Sequence, residues 1–211
     1  MFITFEGLDF CGKSTQIELL KNFLENENKE TLVIREPGGT EISEKIREIL
    51  LDKKNSGMTS ETELLLFYAS RAQLFKQVIE PNLKRGVFVL SDRFYDSSTA
   101  YQGYGRGLDI DFIKALNKFA LNNKKPDLTF FIDLPLEKLN ERKLKHGASN
   151  LDRIETSDED FYKRVRRGYL DLANECERIK VIDGTRSIEE VSKEIISVVS
   201  SHPSFRGENE K

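Results

Sequence analysis

The sequence predicts an α/β fold in which five parallel strands form a sheet with helices on both faces. Two observations support this prediction: short, almost wholly apolar runs recur along the 211 residues, and longer segments with helical periodicity separate them. The predicted strands are Phe2–Phe5, Leu32–Ile34, Val87–Leu90, Leu128–Ile132 and Ile179–Ile182. Ligands of such sheets bind beyond the carboxyl ends of the strands, so those ends are where we expect the chemistry.

The predicted helices follow from apolar spacing and capping patterns. The first helix carries three apolar residues on one face, Ile17, Leu20 and Leu24. Ser60 with Glu63 and Ser187 with Glu190 are spaced as capping boxes, so we expect a helix to begin at each serine. Another helix is predicted over Glu41–Leu51, after a turn rich in glycine.

The chain is predicted to form a single domain over residues 1–200. At this size the core needs no disulfide or metal for stability. A small polar stretch at His146–Asn150 predicts a mobile loop between two basic helical segments. Residues 201–211 contain Pro203, Gly207 and little apolar material, so this tail is expected to fray.

Composition excludes several classes of protein. The 33 basic and 36 acidic side chains give a net charge of -3, without the basic excess expected of a general nucleic-acid binder. Two cysteines and two histidines are too few for a disulfide framework or a His-based zinc site. Since neither a signal peptide nor a membrane-spanning run is apparent, the expected location is the reduced cytoplasm.

The segment Gly7–Ser14, with the sequence GLDFCGKS, matches the G-x-x-x-x-G-K-S/T pattern of a P-loop. It follows an apolar strand and opens an amphipathic helix, as phosphate binding by backbone N–H groups and a helix N-terminus requires. We therefore predict a P-loop NTPase fold that binds a nucleoside triphosphate. The residues expected to surround its phosphates are Gly7, Leu8, Asp9, Phe10, Cys11, Gly12, Lys13, Ser14 and Thr15.

The strand Val87–Leu90 is followed by Asp92 and Arg93, an arrangement typical of a Walker-B acid. Asp92 and the hydroxyl of Ser14 are the predicted ligands of Mg²⁺, although a lone Asp-Arg pair at a strand end is more often a salt bridge. The chain lacks the downstream D-x-x-G and N-K-x-D motifs of regulatory GTPases. An ATP-binding module that transfers no phosphate is still an alternative at this point.

Phe67 and Arg71 lie four residues apart, on one face of a predicted helix. Phe67 alone would be assigned to the core. Together with Arg71, its ring could stack on a base while the guanidinium donates a hydrogen bond to a base oxygen.

These motifs together resemble the bacterial thymidylate kinases, a family of P-loop nucleoside monophosphate kinases. The matching stretches, in order, are Phe5–Asp9 with the P-loop, Arg35–Thr40, Phe67–Gln73, Asp92–Phe94, Ser97–Gly107, Lys125–Leu128, Leu151–Glu155 and Asp183–Thr185. They extend over nearly the whole chain up to the final helix.

The resemblance implies roles for individual residues. For dTMP it implies that Asp9 holds the 3′-hydroxyl, Phe67 stacks on thymine, Arg93 binds the acceptor phosphate and Tyr101 excludes a ribose 2′-hydroxyl. The full set implied for dTMP is Asp9, Glu36, Phe67, Arg71, Arg93, Ser97, Ser98, Tyr101 and Gln102. For ATP it implies a lid at about 142–156 with Arg142 and Arg153, and Gly184 and Thr185 beside the adenine.

The implied reaction is ATP plus dTMP giving ADP plus dTDP, in dTTP synthesis, with Mg²⁺ as cofactor and a homodimer as the assembly. The P-loop has no arginine of its own, so we expect Arg153 to supply catalytic charge alongside Lys13 and Arg93. A surface ion pair of Arg153 with Asp152 or Glu155 is the alternative. The nearest alternative activity is a deoxynucleoside kinase that phosphorylates thymidine.

Overall fold

The computed structural model describes residues 1–146 and 152–206, and confirms the predicted α/β fold with a five-stranded parallel sheet. The strands are β1 (Phe2–Glu6), β2 (Thr31–Arg35), β3 (Phe88–Asp92), β4 (Leu128–Asp133) and β5 (Ile179–Asp183). Each of the five predicted strands is present, with bounds that differ by one residue or a few at either end.

The strand order is β2-β3-β1-β4-β5, so β1 lies at the centre of the sheet. The register pairs Phe5 of β1 with Asp92 of β3 on one side and with Phe130 of β4 on the other, while Arg35 of β2 also pairs with Asp92. Because all strands are parallel, the loops after β1, β2 and β3 leave the same edge of the sheet. The loop after β1 contains the predicted P-loop, and at the same edge β3 ends at Asp92, which Arg93 follows.

Helices of very different lengths connect and cover the strands. Their bounds are α1 (Lys13–Asn26), α2 (Glu41–Leu51), α3 (Ser60–Leu74), α4 (Glu80–Lys84), α5 (Tyr95–Ser98), α6 (Ile110–Leu121), α7 (Leu136–His146), α8 (Glu159–Glu175), α9 (Ile188–Ser201) and α10 (Pro203–Arg206). A 3₁₀ turn covers Lys53–Asn55, and π-helical turns cover Phe75–Ile79 and Thr99–Gly105.

The buried apolar side chains form two hydrophobic clusters. The larger one includes Ile3 and Phe5 of β1 with residues of α1, α8 and α9, and the smaller one includes Phe2 with residues of α3 and α6. Full burial of each such side chain stabilises the fold by about 1.5–3 kcal/mol. Apolar residues on both faces of β1 explain why the strand lacks the alternation of a half-exposed strand.

The capping box predicted at Ser187 and Glu190 is confirmed at the start of α9. The one predicted at Ser60 and Glu63 is wrong: Thr59 caps α3 by accepting from the backbone N–H of Thr62. Glu63 instead turns inward, and its side chain is only 2% exposed.

The tail also differs from the expectation of a frayed segment. Pro203–Arg206 form the short helix α10, and the Phe205 ring stacks on Phe23 with centroids 6.0 Å apart and meets Phe88 edge-on at 6.3 Å. Residues 207–211, and the loop predicted at 147–150, lie outside the described residues. Among the helices that are described, none is both long and apolar enough to cross a membrane.

Candidate active site

A cleft of about 520 Å³ lies beyond the carboxyl ends of β1, β2 and β3. It is lined by fourteen of the residues that the sequence assigned to the site: Asp9, Phe10, Gly12, Lys13, Ser14, Thr15, Glu36, Phe67, Asp92, Arg93, Ser97, Ser98, Tyr101 and Gln102. The parallel register explains this convergence, since residues far apart in sequence follow neighbouring strands at one edge of the sheet.

The P-loop leaves β1 through Gly7 and enters α1 through Gly12, whose φ angles of 138° and 108° favour glycine. A Cβ atom at Gly7 would lie 2.7 Å from the carbonyl oxygen of Ile132, so no other residue fits there without a shift. Gly12 provides no side-chain cap for α1, and the first N–H groups of this helix therefore form an anion-binding site. Lys13 folds back over the loop, with Nζ 3.1 Å from the carbonyl oxygen of Leu8.

Ser14 and Asp92 meet at the floor of the cleft. The Ser14 hydroxyl donates to Oδ2 of Asp92 at 3.4 Å, across a separation of 78 residues in sequence. A hydroxyl and a carboxylate are the hard oxygen ligands that Mg²⁺ takes together with nucleotide phosphates. These two residues therefore fit the predicted metal site.

Arg93 adopts a left-handed backbone conformation, with φ 68°, which turns its side chain back across the P-loop. Its guanidinium donates to the Gly7 carbonyl at 2.7 Å and to Oδ1 of Asp9 at 2.5 Å, and lies 5.1 Å from the Tyr101 ring centroid. Burial raises the pKa of Asp9, but the charges of Arg93 and Lys13 outweigh that effect and hold the pKa below its ordinary value. The carboxylate is thus ionised and keeps Arg93 over the cleft.

Behind Arg93 lies Glu6, a fully buried carboxylate that sequence reasoning did not assign to the site. It accepts hydrogen bonds from the backbone N–H of Phe94 at 2.8 Å, from Ser97 Oγ at 2.6 Å and from Tyr169 Oη at 3.0 Å. Burial, with the charge of Asp96, raises the pKa of Glu6 to about 7 despite these donors. An acid at the end of an apolar strand was the signal that could have identified it.

The far end of the cleft is lined by Phe67 and by the π-helical turn that carries Tyr101 and Gln102. Glu36, at its wall, forms a buried ion pair with Arg71, whose Nε donates to Oε2 at 2.6 Å. Four buried polar atoms in this region have no hydrogen-bond partner: Glu36 Oε1, Arg71 Nη1, Ser98 Oγ and Tyr101 Oη. Because buried polar groups are almost always paired, these atoms mark a polar ligand site.

A second cavity of about 390 Å³ lies on the other side of the P-loop and shares Phe10, Gly12 and Thr15 with the cleft. Arg142 and Gly184 line it, as predicted for the ATP side. Of the remaining P-loop and adenine-side assignments, Cys11 lines the smaller cavity, whereas Gly7, Leu8 and Thr185 are not among the residues that line either one.

Arg142 forms hydrogen bonds with two separate segments that line this second cavity. Its guanidinium donates to the carbonyls of Phe10 and Cys11 at 3.2 and 3.1 Å, and to the carbonyl of Gly184 at 3.0 Å. The Cys11 thiol is buried, which raises its pKa, and Lys13 only partly offsets this. A raised pKa disfavours the thiolate, the form that reacts.

Arg153 is a predicted site residue that lines neither cavity in this structure. Its Nη2 donates to Oε2 of Glu63 at 2.7 Å and its Nε to the carbonyl of Leu50 at 2.8 Å, and the side chain is 9% exposed. Among the described residues, its ion pair is with Glu63 and not with Asp152 or Glu155. Glu63 is 90 residues away in sequence, and neither expectation included it. A catalytic role of Arg153 stays a prediction.

Two further arginines line the cleft that sequence reasoning left without a role. Arg35 ends β2, and Arg47 on α2 donates to the carbonyl of Pro37 at 2.8 Å. Burial and the nearby charge of Arg35 lower the pKa of Arg47, as expected where two cations converge. The helical spacing of Arg47 from buried Ser43 was the available signal.

Comparison with known proteins agrees with this geometry. The family model described as Thymidylate kinase matches residues 5–195. The chain is 52% identical to a thymidylate kinase of Thermosipho africanus over 96% of its own length and 98% of that protein, and 51% identical to one of Kosmotoga olearia over 93% of each. It also resembles the crystal structure of thymidylate kinase from Ehrlichia chaffeensis, with a TM-score of 0.76 and 38% identity over 95% of this chain and 98% of that one.

The family match covers most of the chain, from β1 to within α9. It confirms the P-loop kinase fold and the prediction of an enzyme that phosphorylates dTMP to dTDP with ATP. It does not favour a thymidine kinase or a module that binds ATP without transferring phosphate. The chain belongs to the thymidylate kinase family.

Proposed function

We propose that the 520 Å³ cleft is where this enzyme transfers the γ-phosphoryl group of ATP to dTMP, giving ADP and dTDP for dTTP synthesis. The observation that carries this proposal is the set of four unpaired buried polar atoms on Glu36, Arg71, Ser98 and Tyr101. They would be satisfied by the donors and acceptors of a nucleotide base and sugar. One substrate would then lie on the P-loop and the other on these atoms.

On the ATP side, the backbone N–H groups of Gly7–Thr15 would surround the phosphates, with Lys13 on the β- and γ-phosphates. Arg142, Gly184 and Thr185 would border the adenosine, because two of them line the second cavity and the third follows directly. Ser14 and Asp92 would hold Mg²⁺, which when bound neutralises phosphate charge and orients the γ-phosphoryl group.

On the dTMP side, Phe67 would stack on the base while Arg71 Nη1 donates to a base oxygen. Glu36, Ser98 and Gln102 would complete the base pocket. Asp9 would accept from the 3′-hydroxyl, and the Tyr101 ring would occupy the space beside C2′. Six of these seven residues line the cleft, and the seventh, Arg71, is paired with Glu36 of the lining; these positions support the proposed roles.

The chemistry needs no general base. The second pKa of a phosphate monoester is about 6, so the acceptor oxygen of dTMP is already largely unprotonated at neutral pH. Catalysis then consists of aligning the two phosphates and neutralising charge in a site that excludes water. Lys13 would act on the phosphoryl group in transit, and Arg93, with Ser97 beside it, on the acceptor phosphate. Arg35 and Arg47 add positive charge to the same wall.

We also propose that the enzyme is a homodimer in the cytoplasm, where ATP and dTMP are found. Two packed helices, α3 and α6, expose large apolar side chains that a partner subunit would cover: Leu65 is 53% exposed, Phe112 54% and Phe119 87%. The free thiols of Cys11 and Cys176 agree with a reducing compartment.

A coupled assay of ADP release tests the proposed activity. It compares dTMP, thymidine, dUMP and a reaction without acceptor, each with Mg-ATP. We expect fast ADP release with dTMP and little with thymidine or without acceptor. Equal rates with thymidine and dTMP would indicate a nucleoside kinase, and release independent of any acceptor would indicate an ATPase.

A further inference from the structure

Glu63 is a buried carboxylate on which three separate parts of the chain converge. It lies on α3 one turn before Phe67, and its side chain is 2% exposed. Its Oε1 accepts from Gln102 Nε2 at 2.8 Å and from Arg106 Nε at 3.2 Å. Its Oε2 accepts from Arg153 Nη2 at 2.7 Å and from Arg106 Nη2 at 3.2 Å. One side chain therefore binds two arginines and an amide of the cleft wall.

The two arginines keep this carboxylate ionised. Burial raises the pKa of Glu63, but the hydrogen bonds from Arg106 and Gln102, the charge of Arg106 and the bond from Arg153 outweigh it, so the pKa lies below its ordinary value. An ionised carboxylate has no proton to donate and is only an acceptor. Its neighbour Gln102 must therefore turn its NH₂ group toward Glu63.

This requirement determines which end of the Gln102 amide is left for the cleft. With Nε2 committed to Glu63, the carbonyl oxygen Oε1 is the atom available to a ligand in the cleft that Gln102 lines. Rotating the amide by 180° would place two acceptor oxygens against each other in a buried site, which is strongly unfavourable. Gln102 is thus held as an acceptor.

We propose that Glu63 is a positioning residue that selects the base of the acceptor nucleotide by fixing the Gln102 amide. This inference rests on the proposed function, in which the base lies between Phe67 and Gln102. Thymine and uracil carry a donor at N3, which an acceptor at Gln102 Oε1 matches. Cytosine has an acceptor at N3, so the same oxygen repels it and leaves two unpaired acceptors.

Arg71 supports the same selection from the neighbouring side. Its unpaired Nη1 donates, so it matches the O4 acceptor of thymine and opposes the amino group of cytosine. Glu63 thus supplies only part of the discrimination, and removing its effect should reduce the preference for dTMP over dCMP without abolishing it.

The test replaces Glu63 by glutamine, which has the same shape but can either donate or accept. The measured quantity is the ratio of kcat/KM for dTMP to kcat/KM for dCMP. For Glu63→Gln we expect this ratio to fall by about 10- to 100-fold, the effect of freeing one hydrogen bond worth about 1.4–2.8 kcal/mol to a base edge. The ratio for dTMP to dUMP should stay within twofold, since both bases present a donor at N3.

Arg106→Lys is the matched control. It perturbs the same carboxylate but keeps the charge and the Gln102 bond, so the dTMP to dCMP ratio should stay within threefold of the unmodified enzyme. The exchange Glu63→Gln with Gln102→Glu should restore the ratio, because a carboxylate at 102 again presents only acceptors. A general loosening of the pocket would not be rescued in this way.

In Glu63→Gln two arginines lose the carboxylate that they bind. The double variant Glu63→Gln with Arg106→Gln is therefore measured in parallel, since it has one unpaired cation fewer. An unchanged dTMP to dCMP ratio in Glu63→Gln and in Glu63→Gln with Arg106→Gln would overturn the proposal. Failure of the proposed function would look different, since the unmodified enzyme would then release no ADP in response to dTMP.

Discussion

Replacing Arg71 by methionine should lower both the stability of the fold and kcat/KM for dTMP, and a second substitution should restore only the stability. The guanidinium and the Glu36 carboxylate are 1% and 2% exposed and lie 2.6 Å apart. Removing one partner of such a buried pair costs about 3–5 kcal/mol, because the remaining charge has lost its compensation. The raised pKa of Glu36, caused by burial and only partly offset by Arg71, has the same origin. We therefore expect Arg71→Met to lose about 3–5 kcal/mol of unfolding free energy.

Adding Glu36→Leu removes the uncompensated carboxylate and should recover at least about 2 kcal/mol, since apolar replacements of buried pairs are often neutral. Full recovery is not expected, because Arg71 Nη2 also donates to the Phe94 carbonyl at 3.3 Å. Activity should not recover, because the double variant still lacks the Nη1 donor to the base. A hydrogen bond from a charged group contributes about 1.5–3 kcal/mol, so kcat/KM for dTMP should fall about 10- to 100-fold in both variants.

Urea denaturation and steady-state kinetics with dTMP as the varied substrate measure the two effects separately, and the KM for ATP serves as the internal control. If kcat/KM for dTMP returned to the unmodified value together with stability, Arg71 would be a structural residue only. If the second substitution recovered no stability, the reasoning from the buried pair would be refuted.

Three further predictions follow from the same geometry. Lys13→Ala should lower kcat by about 10²–10³-fold, as expected for loss of one preorganised charged donor, and near-normal turnover at saturating substrates would remove Lys13 from the mechanism. Arg153→Ala should lower the free energy of unfolding by about 1–3 kcal/mol through its lost hydrogen bonds but change kcat less than tenfold. A fall in kcat of about 10³-fold would show that Arg153 contacts the phosphoryl groups during catalysis. The pKa of Glu6 is about 7 in the folded chain, against an ordinary value of 4.5. Between these pH values the folded chain therefore binds more protons than the unfolded chain, and it loses up to about 3 kcal/mol of stability as the pH rises through this range. In Glu6→Gln this part of the pH dependence should vanish when the free energy of unfolding is measured by urea denaturation from pH 4.5 to 7. If the unmodified enzyme and Glu6→Gln had the same pH dependence, Glu6 would have no raised pKa.

The fold was predictable because its signals are local. Each apolar run is short and bounded, and Ser187 with Glu190 forms its cap within one helical turn. The P-loop is equally local, since its glycines, lysine and serine act within eight residues of chain. Because the strands are parallel, Asp92 and Arg93 lie at the same edge of the sheet as the P-loop. This proximity could be predicted without knowing the side-chain contacts.

The failures concern residues whose partners are distant. Glu63 has the spacing of a capping residue, but its partners lie 39, 43 and 90 residues away, and burial beside two arginines outweighs a cap that Thr59 already provides. The contact between Arg153 and Glu63 was missed for the same reason. Phe205 packs on Phe23 and Phe88, a contact that no local feature of a polar tail could predict.

The central claim, that one cleft holds ATP on the P-loop and dTMP on the four unpaired polar atoms, is tested most directly by a crystal structure with dTMP and a non-hydrolysable ATP analogue. We predict that the thymine ring stacks on Phe67 and that Arg71 Nη1 lies within about 3.5 Å of a base oxygen, which is close enough for a hydrogen bond. The dTMP phosphate should contact Arg93 and face the γ-phosphate. A dTMP molecule bound outside the cleft, or in it with its phosphate turned away from Lys13, would contradict the account.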